Sequence, residues 1–185
     1  MTDSTPGVTR GRRRALRRTA LLAAAAAIIA AGAGCTGTGT GDRQARPAAS
    51  ADRQAQVAER GTAVMPFDLE RTTHRFAKTD TGGVQTVVAD NPTDTTEIGL
   101  IQQHLRGEAA RFRGGDFTDP ARIHGTDMPG LAALRDSAGK VAVDYADTAD
   151  GARITYTTSD PTLVTALHAW FDAQVSDHGT HATHG

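Results

Sequence analysis

The chain has one cysteine, Cys35, and two lysines, Lys78 and Lys140. A lone thiol excludes an internal disulfide, so the folded part must draw its stability from a packed core. Aromatic residues are only 4% of the total, and all of them lie between Phe67 and Phe171, which delimits the core-forming region. No run reaches the ~20 apolar residues of a permanent membrane helix; the longest, Leu21 to Ala31, stops well short. There is no G-x-S-x-G elbow, no H-E-x-x-H helix, and no Walker or dinucleotide fingerprint, so the common templates for acyl transfer, zinc hydrolysis and nucleotide chemistry are missing. Beyond the N-terminus acidic residues outnumber basic ones. The net charge of −1 becomes more negative once Arg10, Arg12, Arg13, Arg14, Arg17, Arg18 and Asp3 are set aside. Such a chain lacks the basic surface needed for nucleic acid or for adhesion to anionic lipid by charge.

What is present first is an address. The N-terminal arginines precede the apolar run Leu21 to Ala31, and the run ends in Gly32-Ala33-Gly34-Cys35. A basic, then apolar, then small-residue order is that of an export signal. Ala33, Gly34 and Cys35 match the lipobox of bacterial lipoproteins, with Gly32 in place of the usual leucine. The expectation is a signal peptide over residues 1–34 and a mature chain that starts at lipidated Cys35. Two or three acyl chains, palmitate among them, at about 0.8 kcal/mol per buried methylene, then hold the protein on the extracytoplasmic face of the cell membrane. Arg13, Arg14 and Leu16 fit the twin-arginine export pattern. Arginine pairs also arise from the composition, so the general and twin-arginine routes both stay open.

From Thr36 to about Val64 the residues are Thr/Gly-rich and then Ala/Gln/Arg-rich, with few large apolar groups to bury. That composition reads as a flexible tether over 35–64. A globular domain is expected over 65–176, followed by a His-rich flexible tail over 177–185. Within the domain, Thr72–Lys78 and Val84–Ala89 flank a glycine-containing turn and predict a hairpin. Ile98, Ile101, Leu105, Ala109 and Phe112 recur at helical spacing, ended by Gly114-Gly115. A second hairpin is predicted from Val141–Ala146 and Ala152–Thr158. Asp160-Pro161 then opens a helix with the stripe Val164, Leu167, Phe171 and Val175. Between these units, Asp119-Pro120 and Met128-Pro129-Gly130 punctuate a stretch suited to two short helices. The fold class expected is α+β: a four-stranded, mainly antiparallel sheet from two strand-strand-helix units, with the two main helices on one face.

The seven histidines are the residue type with chemical character. His104 with Glu108, and His168 with Asp172, are four apart on predicted helices, so each pair shares a face and can chelate a metal or simply meet solvent. His178, His181 and His184 recur every third residue in the tail, a spacing that suits Cu, Zn or Ni and equally suits a solvated end. His124 and Met128 add an imidazole and a thioether, a pairing that favours copper. His74 alternates with Phe76 on a strand and is expected to be a hydrogen-bonded core residue. Trp170 lies on the border of its helix stripe, either as a lid on the core or as a surface for a protein partner.

Three runs, FDLERTTHRF at 67–76, GDFTDPARIHGTDMPGL at 115–131 and ARITYTTSDPTLVTALHAWFDAQVSDHG at 152–179, are similar to a family of small exported bacterial lipoproteins without an established activity. Some members of that family carry the label aspartate carbamoyltransferase. The Ser-Thr-Arg-Thr phosphate turn of genuine carbamoyltransferases has no counterpart beyond Arg71-Thr72-Thr73-His74, and the chain has about a third of the needed length, so no site residue carries over.

These readings converge on a lipid-anchored extracytoplasmic binding module, with a transition metal as the ligand that the histidines suggest. A structural or protein-interaction lipoprotein, using Trp170 and the sheet's outer face, is the alternative. An enzyme is the third class, and it would be favoured by an enclosed polar pocket around His74, His124 or His168.

Overall fold

A computed structural model describes residues 42–185. The signal segment, Cys35 and the export residues Arg13, Arg14 and Leu16 lie outside the described residues. Two hairpins form where turn chemistry and period-two alternation coincide. Strands β1 (Thr72–Thr79) and β2 (Gly82–Ala89) pair antiparallel, with Thr79 opposite Gly82. Strands β3 (Ala142–Thr148) and β4 (Gly151–Thr157) do the same, with Thr148 opposite Gly151. The hairpins join through β2 and β4, which are also antiparallel. Registers such as His74↔Val87↔Ala152 and Phe76↔Gln85↔Ile154 set one face of the sheet toward the core, because directly opposed residues share a face.

Helix α2 (Thr95–Arg113) starts at Asp94, whose side chain accepts the Glu97 N–H, and buries Ile98, Ile101, Leu105, Ala109 and Phe112 as the spacing predicts. It packs over β2, β3 and β4. Helix α5 (Pro161–His178) starts at N-cap Asp160 and packs over β1 and β2. Gly83 lets α5 approach, because a Cβ there would lie 2.4 Å from the Phe171 ring. Two short helices, α3 (Thr118–His124) and α4 (Leu131–Arg135), occupy the connector. The apolar stripe of α5 is rotated from the one read in the sequence. Leu163, Ala166, Leu167, Trp170 and Phe171 are buried, whereas Val164 and Val175 are only half-buried. Trp170 is 1% exposed. It meets Phe112, Phe117 and Tyr156 edge-on at 5.7–6.0 Å, contacts that add about 0.5–1.5 kcal/mol each to the burial of the rings. A tryptophan at the centre of the core cannot be the exposed contact for a protein partner.

Both ends of the chain depart from expectation. The stretch read as a tether contains α1 (Asp42–Gly61), and the tail read as flexible forms a 3-10 turn (Gly179–His181) and β5 (Ala182–His184). Strand β5 pairs in parallel with β1, so the sheet has five strands in the order β3-β4-β2-β1-β5 and is mixed rather than four-stranded and antiparallel. The reason for α1 is local and tertiary together. Its Ala, Gln, Arg and Glu residues are strong helix formers that, lacking large side chains, also resemble a linker. One aliphatic residue, Val57, is 1% exposed, and polar side chains fasten the helix: Gln54 donates to the Ser176 carbonyl and Arg60 to that of Ile123. The tail is ordered by backbone pairing, which ends with the Gly185 N–H donating to the Phe76 carbonyl at 3.1 Å.

Candidate functional site

Strand β1 and the ends of α3 and α5 bring together side chains distant in sequence. Alternation along β1 puts His74 on the core face beside Phe76. The last residue of α3 supplies His124, and the last turn of α5 supplies Asp177 and His178. The rings of His74 and His178 stack nearly parallel, with centroids 4.9 Å apart, and His124 meets His178 edge-on at 5.1 Å. Asp177 Oδ2 accepts from His124 Nδ1 at 2.9 Å. The same carboxylate accepts two hydrogen bonds from Arg53 of α1, at 2.9 and 2.7 Å, and Arg53 also donates to the His124 carbonyl at 2.6 Å. One carboxylate thus joins the first helix, the third and the fifth.

Next to this cluster lies a chamber of about 50 Å³ beneath α2, α3 and α5. Phe67, Leu105, Phe112 and Ile123 form its apolar walls, and His74, Gln85, His104, Glu108, His124, Trp170 and Gln174 bring polar atoms to it. Two of these residues also carry a nitrogen that is buried without a hydrogen-bond partner: His74 Nδ1 and Trp170 Nε1. Buried polar groups in folded proteins are nearly always paired, so two unpartnered nitrogens on residues of one pocket single this region out.

Electrostatics agree with an enclosed site. Burial lowers the pKa of His74 to about 4, with His104, His124 and His181 nearby adding repulsion. Burial likewise holds His104 at about 4 and drives His178 well below its ordinary value. Burial also pushes the Glu108 carboxyl up to about 7, only partly offset by its ion pair with Arg111. Asp177 goes the other way: burial would raise it, but the hydrogen bonds from His124 and Arg53 outweigh that and hold it at about 2. Near neutral pH His74, His104 and His178 are therefore uncharged, and Glu108 is poised between its two forms.

The metal sets read from the sequence are not assembled. Among the described residues no group of three His, Cys, Asp or Glu side chains is placed to hold a metal ion. Imidazole lone pairs lie in the ring plane, so the parallel rings of His74 and His178 cannot both point at one ion. His178, His181 and His184 part company. The first is in the cluster, the second faces Glu70 at 3.4 Å, and the third is exposed on β5, 3.9 Å from Asp172. His168 Nε2 sits 3.0 and 2.9 Å from the Thr79 and Gly82 carbonyls and pins the first hairpin, while its proposed partner Asp172 pairs with Lys78. Met128 is core packing, and His124 is engaged by Asp177 rather than by Met128. His104 and Glu108 do share the chamber, although Glu108 turns an oxygen to Arg111.

Sequence reasoning missed Arg53, Gln174 and Asp177. A signal for the last two existed: counted from Leu163, the steps to Leu167, Trp170, Gln174 and Asp177 follow one helical face, so two polar residues fall on a buried stripe. Arg53 carried no comparable signal. No protein-family model, curated protein or solved structure matches this chain.

Proposed function

We propose that the protein is an extracytoplasmic binding module, held to the membrane by lipid on Cys35, that takes a small polar ligand into the chamber beneath α2, α3 and α5. The observation that carries this reading is that two residues lining one pocket, His74 and Trp170, each hold a buried nitrogen without a partner. Apolar walls with a few convergent polar groups and displaced pKa values are the usual character of a small-ligand site. The export signal and the lipobox support the location.

Two measurements test the reading. Labelled palmitate should appear on the protein and be lost with Cys35→Ser, which should also release the chain from membranes. Thermal unfolding of the full chain should respond to a panel of small neutral, anionic and cationic solutes. A ligand present at ten times its Kd should raise the midpoint by about 3 °C or more. A panel without any response removes the binding reading, and an unlabelled Cys35 removes the anchor.

The enclosed pocket around His74 and His124 also favours a second reading, an enzyme using acid–base chemistry. The observation behind it is His124, oriented by Asp177, lining the same chamber as Glu108, whose carboxyl is held near 7. Turnover of any panel solute, lost in His124→Gln with the fold retained, would convert the binding site into an active site.

A further inference from the structure

The formal charges that line the chamber are of one sign. Glu108 of α2 and Asp119 of α3 both contribute to its wall, and no lysine or arginine does. The imidazoles of His74 and His104, lowered to about 4 by burial, are uncharged near neutral pH. His124 is the remaining histidine of the lining, and its Nδ1 is occupied by the Asp177 carboxylate. The arginines that offset the two acids stand outside the lining: Arg111 Nη2 donates to Glu108 Oε1 and, at 2.7 Å, to Asp119 Oδ2, and Arg122 lies 3.5 Å from Asp119 Oδ1. Their side chains are 41% and 69% exposed.

Two buried side chains keep unused polar atoms in the same lining. Glu108 is 6% exposed, yet its Oε2 accepts no hydrogen bond from the described residues. Gln174, on the buried face of α5, is 5% exposed, and its side-chain amide has no hydrogen-bond partner among the described residues. Unlike the sealed nitrogens of His74 and Trp170, these atoms retain accessible area and can meet a ligand. A buried carboxylate oxygen and a buried amide without partners cost free energy that a molecule bearing N–H donors would recover.

Charge and shape then choose the class. An anion would be repelled by both carboxylates, and a neutral donor would satisfy the oxygens but not the buried charge. A metal ion needs converging ligands, and among the described residues no trio of His, Cys, Asp or Glu provides them. A primary ammonium brings three N–H donors for oxygen acceptors, and its alkyl part suits the walls formed by Phe67, Leu105 and Phe112. A cavity of about 50 Å³ exceeds the need of a single water several-fold and is far below the hundreds of cubic ångströms of sites for drug-sized ligands.

We propose that the chamber, taken as the ligand site of the preceding reading, selects a small primary ammonium cation of about four non-hydrogen atoms, whose N–H groups meet the Glu108 and Asp119 carboxylates and the Gln174 amide oxygen. A ligand of that size binds no tighter than about 40 μM even at the highest efficiency per atom, so the affinity belongs to the range from tens of micromolar to a few millimolar.

Trp170 is the one tryptophan in the chain and lines the chamber, so its single indole resonance shifts when a charge is placed nearby. Titration at pH 8, above the Glu108 pKa of about 7, keeps that carboxylate ionised while an alkylamine is still protonated. The full chain, purified as the cell makes it, is titrated with propylammonium, with 1-propanol and acetate of similar size, and with tetramethylammonium, which carries the charge without an N–H. Propylammonium should move the resonance saturably, and the other three should bind at least tenfold more weakly. Glu108→Gln keeps the shape of the side chain and removes its charge, so it should weaken propylammonium at least tenfold; if that variant does not fold, the probes on the wild-type chain decide. 1-Propanol or acetate binding as well as propylammonium overturns the cationic class, and tetramethylammonium binding as well overturns the need for N–H donors. A folded Glu108→Gln with unchanged affinity overturns the part given to the carboxylate. In all these cases the chamber survives as a ligand site. A resonance that no probe moves up to about 50 mM, an order of magnitude above the weakest expected Kd, overturns both this selectivity and the reading on which it rests.

Discussion

The two ends of the sheet are closed by different chemistry. At the β3 end, strands consecutive in the chain form a hairpin under α2, and the ion pair that joins the two is open to water: Arg106 meets Asp147 at 3.2 Å with side chains 64% and 51% exposed. At the β1 and β5 end, segments far apart in sequence meet. Arg53 and Asp177 are 124 residues apart, and His124 and Asp177 are 53 apart. There the closing groups are a shielded carboxylate with its Arg53 and His124 partners, beside the uncharged imidazoles of His74 and His178. The first end rests on local pairing and apolar packing, neither of which depends on pH. The second depends on the protonation state of everything it buries, and it is also the end that holds the chamber.

Acid should break this symmetry most strongly. His74 and His104, with folded pKa values of about 4, and His178, driven lower still, bind protons more readily in the unfolded chain, where an imidazole titrates near 6.5. Their contribution is complete above the unfolded pKa and is lost as pH falls from about 6.5 toward 4. Glu108 opposes this. Its folded pKa, about 7, lies above the unfolded value, so its burial costs less as pH falls between 7 and 4.5. Three imidazoles against one carboxyl leave the histidines ahead, and His74 alone is worth about 3 kcal/mol over that range. Urea denaturation at pH 7.5 and pH 4.5 should differ by several kcal/mol, and amide exchange at pH 5 should open β5 and α1 before β3 and β4. A flat pH profile, or opening that starts at β3, would erase the contrast between the two ends.

Removing the shared carboxylate tests the same end without changing pH. In Asp177→Ala, Arg53, whose side chain is 40% exposed, can turn to water, but His124, 2% exposed, is left with an unmatched N–H. The expected loss is about 2–3 kcal/mol at pH 7, below that of breaking a fully buried pair because one partner is solvated. The carboxylate's pKa of about 2 lies below its unfolded value, so its contribution is present above about pH 4 and disappears as pH falls toward 2. The gap between wild type and Asp177→Ala should therefore close below pH 3. A loss under about 0.5 kcal/mol would show that α1 is held by Val57 and its helix neighbours rather than through the carboxylate.

The same division decides how much was legible in the sequence. Both hairpins, α2, the start of α5 and the two short connector helices follow from turn residues, caps and periodicity, all of which act within a few residues. The α5 stripe was misplaced by one position because Val164 and Val175 are as apolar as the buried Leu163 and Trp170, and Gln174 and Asp177 look like solvent-facing residues until something buries them. The site depended on pairings that no local pattern encodes. His104, His124 and His178 were visible as chemical groups, but Arg53 and Asp177, which fix His124, lay in segments whose composition resembles a linker and a tail. Three imidazoles at regular spacing suggested a flexible chelator, whereas backbone pairing of β5 with β1 sends each of them in a different direction.

The smallest expected effect belongs to the open end. Arg106 donates to both oxygens of Asp147, as Arg53 does to Asp177, and its guanidinium lies 5.1 Å from the centre of the Tyr145 ring. Yet both charges are more than half exposed, and water recovers most of what the pair provides when it is broken. Arg106→Ala should therefore cost far less than Asp177→Ala, close to the error of a urea titration even with the lost stacking on Tyr145, and 0.5 M salt should reduce even that. Asp177→Ala should be insensitive to the same salt, because its partner His124 is shielded from the solvent ions that would screen it. If the two variants respond alike to salt, the carboxylate at the β5 end is as hydrated as the one at the β3 end, and burial is not what separates them.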